Sequence, residues 1–503
     1  MSLISYIQNN AENYPDDIFL ISGEERYTFS SFHIKVNRFA GGLRELGIKK
    51  GDRVGVMLPN IAEWPIAYGA LVGLGAVVVP LNIMLKENEL RHQLHDCNAR
   101  AVIFWCGFMN DIIKAAAEGS CDVLIMCGGE SIQGVKDFET VADGNADTGM
   151  DVPLNDDETC VIFYTSGTTG KPMGAELTHR NILKNAESCS VLLPIERSDV
   201  ILGVIPLFHS FGHTTVLNLA VVSGAKLVLL QRFEPLEVGR IVKEHSPSLF
   251  MGVPAMFHAI LNDERVPADS FKNVKYCISG AAKLDMKLQE DFEKKFECVI
   301  LEGYGLTEAG PVVSFNRNVS MRRKGSIGLP IDGVEMKLYD EADNEINRGD
   351  VGEIVIRGPS IMKGYLNQPK ITEKRLVNGW LRTGDLAKMD DEGYYYFIDR
   401  KSDIIIKHGF NVYPKEIENE ICSHPNVIEC SVIGIKDRSV GEKIKACVVL
   451  KNGEVVTEED LINYCAARLA AFKVPDIVEY MTGLPRNASG KVMKKSLRVL
   501  HKN

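Results

Sequence analysis

Directly after the apolar run Thr159–Tyr164 the chain reads Tyr164-Thr165-Ser166-Gly167-Thr168-Thr169-Gly170-Lys171-Pro172. Small hydroxyl residues and glycines free the backbone N–H groups and let an oligophosphate approach, and Lys171 adds positive charge. A Walker A loop needs four residues between its glycines and Ser or Thr after the Lys; Pro172 follows here, so this is a phosphate loop of another kind. His209 and His213 stand four apart, a spacing that suits a metal on a helix. The intervening Ser210-Phe211-Gly212 supplies no catalytic Glu and Pro206 precedes, so zinc is not expected. The twelve cysteines contain no Cys-x-x-Cys pair and read as reduced, mostly buried thiols.

These residues need a scaffold. The 503 residues suffice for about three compact units. Apolar residues at 45% and charged residues at 25% are ordinary for a globular chain and exclude a disordered or fibrous one. With 57 Lys and Arg against 67 Asp and Glu the net charge is -10, which argues against a nucleic-acid-coating role. The uncharged stretches Trp64–Leu85 and Val200–Ala225 are broken by prolines, glycines and polar residues, and read as buried strands and helices rather than membrane spans. Strands are expected at 53–57, 76–79, 101–104, 123–126, 159–164, 200–205, 226–230, 249–252 and 276–279, with amphipathic segments between several of them. From Gly325 short strands and Gly/Asp turns predict a small β-rich subdomain. Near Ser402 a last segment begins, with a helix at 414–422, strands at 427–434 and 445–450, a helix at 457–469 and a basic tail. The expected architecture is α/β: a large N-terminal domain of helix-covered sheets over 1–401 and a small α+β C-terminal domain over 402–503.

Thr165–Pro172 resembles the phosphate loop of the adenylate-forming superfamily, which includes acyl-CoA synthetases, luciferases and the adenylation domains of peptide synthetases. More of its motifs follow in order: Gly303-Tyr304-Gly305-Leu306-Thr307-Glu308, Arg382-Thr383-Gly384-Asp385, Asp399-Arg400-Lys401-Ser402-Asp403, Lys407-His408-Gly409-Phe410-Asn411-Val412-Tyr413-Pro414 and Pro485-Arg486-Asn487-Ala488-Ser489-Gly490-Lys491. The resemblance spans essentially the whole chain and is nearest to the acyl-CoA synthetases. It implies attack of a carboxylate on the α-phosphate of ATP, giving an acyl-adenylate and pyrophosphate, then transfer of the acyl group to the thiol of CoA. The first step brings anions together and needs cations and fixed donors. Glu308 is thereby implied as the Mg²⁺ ligand, with Thr307 and Thr165–Lys171 as donors. Glu302 and Gly303–Gly305 would border the nucleotide, and Gly280-Ala281-Ala282 would flank the adenine. Asp385 would take the ribose hydroxyls, Arg400 ribose or phosphate, and Lys491 would bridge carboxylate and α-phosphate. Lys494 and Lys495 read as solvated.

The resemblance places Pro206-Leu207-Phe208-His209 at the acyl pocket, with His209 near the substrate carboxylate. Amino-acid-activating members usually carry Asp at the His209 position; without it a buried ammonium lacks its counter-charge, so the expected substrate is a fatty or aromatic monocarboxylic acid. Phe211, Gly212, Val253, Met256, Gly305, Pro311 and Val312 are the further pocket candidates, all apolar or small. Arg232, Lys407, His408 and Gly409 are the implied CoA-side residues. Ser402 stands where the hinge often carries Asp or Lys; rotation there is expected to deliver Lys491 for adenylation and the His408-Gly409 loop for thioester formation. The other reading is loading onto a carrier-protein phosphopantetheine; the lack of a carrier domain after Lys491 favours free CoA. A luciferase-like oxidase and a nucleotide-binding regulator with a dead site are further readings; the latter predicts loss of Glu308, Asp385 or Lys491, and all three are present. No signal peptide, lipidation signal or nucleic-acid partner is expected, the location is expected to be cytoplasmic, and homo-oligomerisation is left open.

Overall fold

The computed structural model describes residues 2–117, 121–143, 152–165, 172–408, 410–437, 439–486 and 492–500. The chain forms two compact units, one from Met1–Met336 with Ile356–Leu381 and the other from Lys337–Val355 with Arg382–Asn503.

The first unit holds two large mixed sheets. One runs, from edge to edge, Gly364–Tyr365, Met173–Thr178, Thr159–Thr165, Val77–Pro80, Arg53–Met57, Ala101–Trp105, Val123–Cys127 and Lys136–Asp137. The other runs Leu329–Pro330, Val312–Phe315, Ile300–Gly305, Tyr276–Ser279, Leu249–Gly252, Val200–Gly203, Lys226–Leu229, Ile18–Ser22 and Glu25–Thr28. Their central strands are parallel, and antiparallel pairs close the edges. Central parallel strands are covered on both faces, which explains continuous apolar runs such as Val77–Pro80 and Leu249–Gly252, where every residue is buried. The nine strands predicted between residues 53 and 279 appear within two residues of their expected bounds, whereas those predicted at 427–434 and 445–450 run longer, as Val427–Asp437 and Gly441–Leu450.

The first uncharged stretch is the helix Glu63–Gly73, buried from Trp64 through Gly73, then a left-handed turn at Gly75 and the strand Val77–Pro80. The second is the strand Val200–Gly203, a largely buried apolar connection through Pro206 to His209 and helical turns over 210–223. No helix among the described residues is long and apolar enough to cross a membrane. A phenylalanine cluster packs behind the second sheet: Phe250, Phe257, Phe271, Phe292 and Phe296 meet mostly edge to face, with centroids 4.6–5.4 Å apart. The helix His179–Leu192 starts at a reciprocal cap, in which Asn181 N donates to Thr178 Oγ1 and Thr178 N to Asn181 Oδ1.

In the second unit, the strand Gly441–Leu450 pairs with Val427–Asp437, with Ile405–Lys407 and with Ile477–Tyr480. The helices Pro414–Cys422 and Glu458–Ala466 cover this sheet over a core that includes Ile417, Ile421, Val432, Ile444 and Leu461. Pro414 sits in the first helical turn, where its missing N–H costs nothing. The residues read as a basic tail form a helix, Lys494–Leu500.

Candidate active site

In the second sheet, the register Gly252↔Ser279↔Glu302 lines up the carboxyl ends of three neighbouring parallel strands. The crevice outside such an edge is where open α/β sheets bind ligands. The turns leaving that edge carry Val253, Gly280–Ala282 and Gly303–Glu308, and the strand Val200–Gly203 leads there into Pro206–Phe211.

Two contacts tie these turns together. Thr307 Oγ1 and Ser210 Oγ lie 2.9 Å apart, joining the Glu308 turn to the residue after His209. A Cβ on Gly280 would sit 3.1 Å from the Phe211 ring, so the segment implied for adenine and an acyl-pocket candidate are in direct contact. Ala281 adopts φ +67°, a strained conformation for a residue with a side chain, at the turn that follows. Val253 and Gly212 are buried in the same neighbourhood, while half-buried Met256 packs against the phenylalanine cluster. Pro311 and Val312 return beside Gly305. The Val312 backbone is clamped by Asn185, whose Nδ2 donates to Val312 O at 2.8 Å and whose Oδ1 accepts from Val312 N at 3.0 Å. Gly305 has no alternative: a Cβ there would meet Pro311 O at 2.3 Å.

His209 Nδ1 accepts from Phe211 N at 3.2 Å, so the neutral ring carries its proton on Nε2 as a donor. His213 is different. It is fully buried among Trp64, Tyr68 and Phe163, and burial lowers its pKa to about 3, keeping it neutral. Among the described residues no cluster of three or more metal-ligating side chains exists.

Glu308 is buried in the short turn Thr307–Ala309. Tyr365 Oη donates to Glu308 Oε1 at 2.8 Å, and Met362 N donates to Glu308 O at 2.9 Å. Among the described residues Oε2 has no hydrogen-bond partner. A carboxylate oxygen fixed in a buried turn fits a hard divalent cation. Tyr365 was not singled out by sequence; it lies 57 residues from Glu308, and the Gly364–Tyr365 strand that carries it pairs with Met173–Thr178, the strand leaving the phosphate loop. Glu302 is equally buried but serves the backbone: its Oε1 accepts from Leu284 N at 3.0 Å, and burial raises its pKa to about 7.

Thr165 pairs with Met173 across the segment read as a phosphate loop, and Tyr164 Oη donates to Asp96 Oδ2 at 2.7 Å just before it. Ser166, Gly167, Thr168, Thr169, Gly170 and Lys171 lie outside the described residues, as do Gly409 and Lys491. Arg232 is exposed, between the strand Lys226–Leu229 and the helix Pro235–His245.

In the second unit Asp385 lies opposite Arg400 across the pair of strands Trp380–Met389 and Tyr395–Arg400. Arg400 Nε stands 3.5 Å from Asp385 Oδ1; Asp385 is buried and Arg400 is largely exposed. Gly384, at φ +74°, donates its N–H to Glu353 Oε1, and Thr383 Oγ1 donates to Ile354 O at 2.7 Å. Lys407 is buried, with Nζ held by both oxygens of Asp476 at 2.8 Å. His408 is exposed at φ +52°. Ser402 lies in the single turn Lys401–Asp403.

Lys494 corrects the expectation of a solvated tail lysine. Its Nζ lies 2.7 Å from Glu418 Oε1, and its side chain is only 18% exposed. Glu418 also takes the N–H of Val432 and the ammonium of Lys415, and these partners hold its pKa below the ordinary value despite burial. Arg498, one turn on, pairs with Asp403 at 3.0 Å. The charge of Lys494 gave no signal, because Glu418 lies on a distant helix rich in other glutamates. Lys495 is exposed, as expected.

Comparison with known proteins decides what this assembly belongs to. The family model described as AMP-binding enzyme matches residues 7–366, and its C-terminal-domain model matches residues 416–491. The chain belongs to the AMP-binding, adenylate-forming enzyme family. It is 34% identical to a long-chain-fatty-acid–CoA ligase of Bacillus subtilis over 99% of this chain and 94% of that protein. It is 34% identical to a feruloyl-CoA synthase of Amycolatopsis over 95% of this chain and 94% of that protein. Among solved structures, ATP-bound MatB from Rhodopseudomonas palustris superposes with a TM-score of 0.94 at 29% identity, covering 100% of this chain and 99% of that one. A benzoate CoA ligase from Burkholderia xenovorans gives 0.90 at 27% identity, covering 99% and 100%. This adenylate-forming enzyme thus has the mixed α/β fold of its family, with relatives that are acyl- and aryl-CoA ligases. Acid–CoA ligation through an acyl-adenylate, with ATP and CoA as co-substrates, is the activity its membership supports.

Proposed function

We propose that this enzyme activates an apolar monocarboxylic acid, fatty or aromatic, as its adenylate and passes the acyl group to CoA. The observation that carries the reading is the Thr307–Ser210 hydrogen bond, which holds the His209 segment against the Glu308 turn. His209, donating from Nε2, orients the carboxylate; Phe211, Gly212, Val253, Pro311 and Val312 supply apolar wall. No acidic residue follows Phe208 to balance an α-ammonium. The names of the long-chain-fatty-acid, feruloyl and benzoate ligases among its relatives support the same class of acid.

Glu308 is assigned to Mg²⁺ through Oε2, with Oε1 fixed by Tyr365. When bound, the ion neutralises phosphate charge beside the α-phosphate. Thr165, Thr307 and the residues of 166–171 donate to phosphate oxygens, Gly280–Ala282 and Gly303–Gly305 border the base, and Asp385 with Arg400 takes the ribose. Residues 402–503 are proposed to act as a mobile domain turning at Ser402, with Lys491 serving adenylation and His408-Gly409 serving CoA together with Arg232. Lys407, committed to Asp476, serves by holding that strand rather than by contacting phosphate. All twelve cysteines are free thiols, which supports a reducing, cytoplasmic location.

The test is a panel of acids with ATP, Mg²⁺ and CoA, following AMP and thioester. Straight-chain or aromatic acids are expected to turn over and α-amino acids are not. An amino acid that outruns every simple acid overturns the substrate class.

A further inference from the structure

We propose that Cys422 and Cys430 form a redox modification site, which a peroxide converts to an intramolecular disulfide that slows adenylation. Cys422 is the last residue of the helix Pro414–Cys422, and Cys430 lies on the strand Val427–Asp437 that the helix covers. Their sulfurs are 3.5 Å apart. Of the twelve cysteines, Cys422 is the exposed one. Cys277 and Cys298 also approach each other, but both are buried and out of reach of a solute oxidant. Exposure, a partner thiol in contact and a nearby cation are what a reactive pair requires. Lys415 supplies the cation, two helical turns before Cys422 and on the same side.

Cys422 is held below the ordinary thiol range by the hydrogen bond from Cys430 and then by Lys415, whereas burial pushes Cys430 up. Cys422 is therefore the attacking thiolate and Cys430 the resolving thiol. The Cys422 sulfur attacks one oxygen of hydrogen peroxide; an S–O bond forms, the O–O bond breaks and hydroxide leaves. The Cys430 sulfur then attacks the sulfenic sulfur; the S–S bond forms, the S–O bond breaks, and the departing oxygen leaves as water with the Cys430 proton. The two thiols lose two electrons and the peroxide becomes two waters.

The consequence runs through Glu418. Cys430 Sγ lies 3.3 Å from Glu418 O, and the Glu418 carboxylate holds Lys494, three residues after Lys491. Closing the sulfurs from 3.5 Å to bonding distance, about 2 Å, draws the last turn of the helix towards the strand and past the Glu418 carbonyl. The anchor that holds Lys494, three residues after Lys491, moves with it. This part of the inference rests on the proposed role of Lys491 in adenylation.

The experiment treats the full-length enzyme with hydrogen peroxide, alkylates the remaining thiols after denaturation, and maps peptides by mass spectrometry. The expected product is a peptide pair joined between Cys422 and Cys430, restored to free thiols by dithiothreitol and absent from Cys422→Ser and Cys430→Ser. In parallel, acid-dependent pyrophosphate exchange is expected to slow by roughly tenfold on oxidation, as a misplaced catalytic group costs. It recovers with dithiothreitol, and Cys422→Ser is insensitive to peroxide. Both cysteines still taking label, or Cys422 stopping at the sulfinic acid, overturns the site. A mapped bridge with unchanged exchange overturns the coupling to adenylation. Reduced enzyme that exchanges pyrophosphate with no acid refutes the ligase reading instead, a result the thiol map distinguishes.

Discussion

In the proposed assignment of Glu308 to Mg²⁺, the chemistry depends on which oxygen is left for the ion. Tyr365 takes Oε1 at 2.8 Å from a buried position, and the carboxylate and burial together push the phenol's pKa up, so it remains a donor. Tyr365→Phe removes a hydrogen bond to a charged group, worth about 1.5–3 kcal/mol. The expected result is ATP affinity about tenfold weaker with Mg²⁺ and unchanged without it, measured by calorimetry on both forms. Glu308→Gln keeps the volume and loses the charge; turnover is expected to fall about 10²–10³-fold with the circular dichroism spectrum intact. An unchanged rate and Mg²⁺ dependence would reject the assignment. Glu302 gives a separate prediction in stability. Its carboxyl rises from the ordinary 4.5 to about 7 in the fold, so the folded state keeps a proton that the unfolded chain releases. Stability therefore falls as pH climbs from about 4.5 to about 7 and is flat beyond, a loss of about 3 kcal/mol at 1.36 kcal/mol per unit. Glu302→Gln is expected to lack this decline, which denaturant unfolding of both proteins at pH 5 and pH 8 reads directly. Glu308 stands out in the sequence because a motif surrounds it. Tyr365 and Lys494 were not, because each acts through a partner far away in sequence and no local spacing records that.

Among the elements, the hairpin of Ile300–Gly305 and Val312–Phe315 brings the Glu308 turn and the acyl-pocket candidates Pro311 and Val312 together. Its closest approach is Gly305 against Pro311, where an added Cβ would stand 2.3 Å from a backbone oxygen that no rotamer can move aside. Gly305→Ala is expected to destabilise the enzyme by about 1–3 kcal/mol and to cut turnover sharply. Gly483→Ala is the control, since nothing lies within 4 Å of its Cβ position. Equal unfolding midpoints for the two variants would show that the hairpin yields more easily than its geometry indicates. The central parallel strands were legible because burial on both faces writes an unbroken apolar run. The two-residue edge strands Leu329–Pro330 and Gly364–Tyr365 were not, since they are too short for any period and exist only through their partners. The helix Lys494–Leu500 was hidden for a related reason: Lys494 read as solvated, and neither its partner Glu418 nor Asp403, the partner of Arg498, is near in sequence.

For the whole molecule, the demand is that one chain run two reactions in sequence on one acyl group. Adenylation needs a cation where carboxylate and α-phosphate meet, and thioester formation needs room for a thiol approaching the same carbonyl carbon. The second unit carries a candidate for each task, Lys491 for the first and His408 with Gly409 for the second. They are 82 residues apart, and His408 already adopts the left-handed conformation, at φ +52°, that a tight turn requires. If the mobile-domain reading holds, the tasks separate by mutation. Lys491→Ala is expected to slow acyl-AMP formation by about 10²–10³-fold, the usual cost of losing one charge-stabilising donor, yet to convert supplied acyl-AMP and CoA to thioester at close to the normal rate. Gly409→Leu is expected to do the reverse, sparing pyrophosphate exchange and blocking thioester formation. Pre-formed acyl-AMP assayed against each variant, with folding checked by circular dichroism, decides between the mechanisms. Equal loss of both half-reactions in both variants means that one fixed arrangement serves both steps, and the turn at Ser402 would then have no catalytic part.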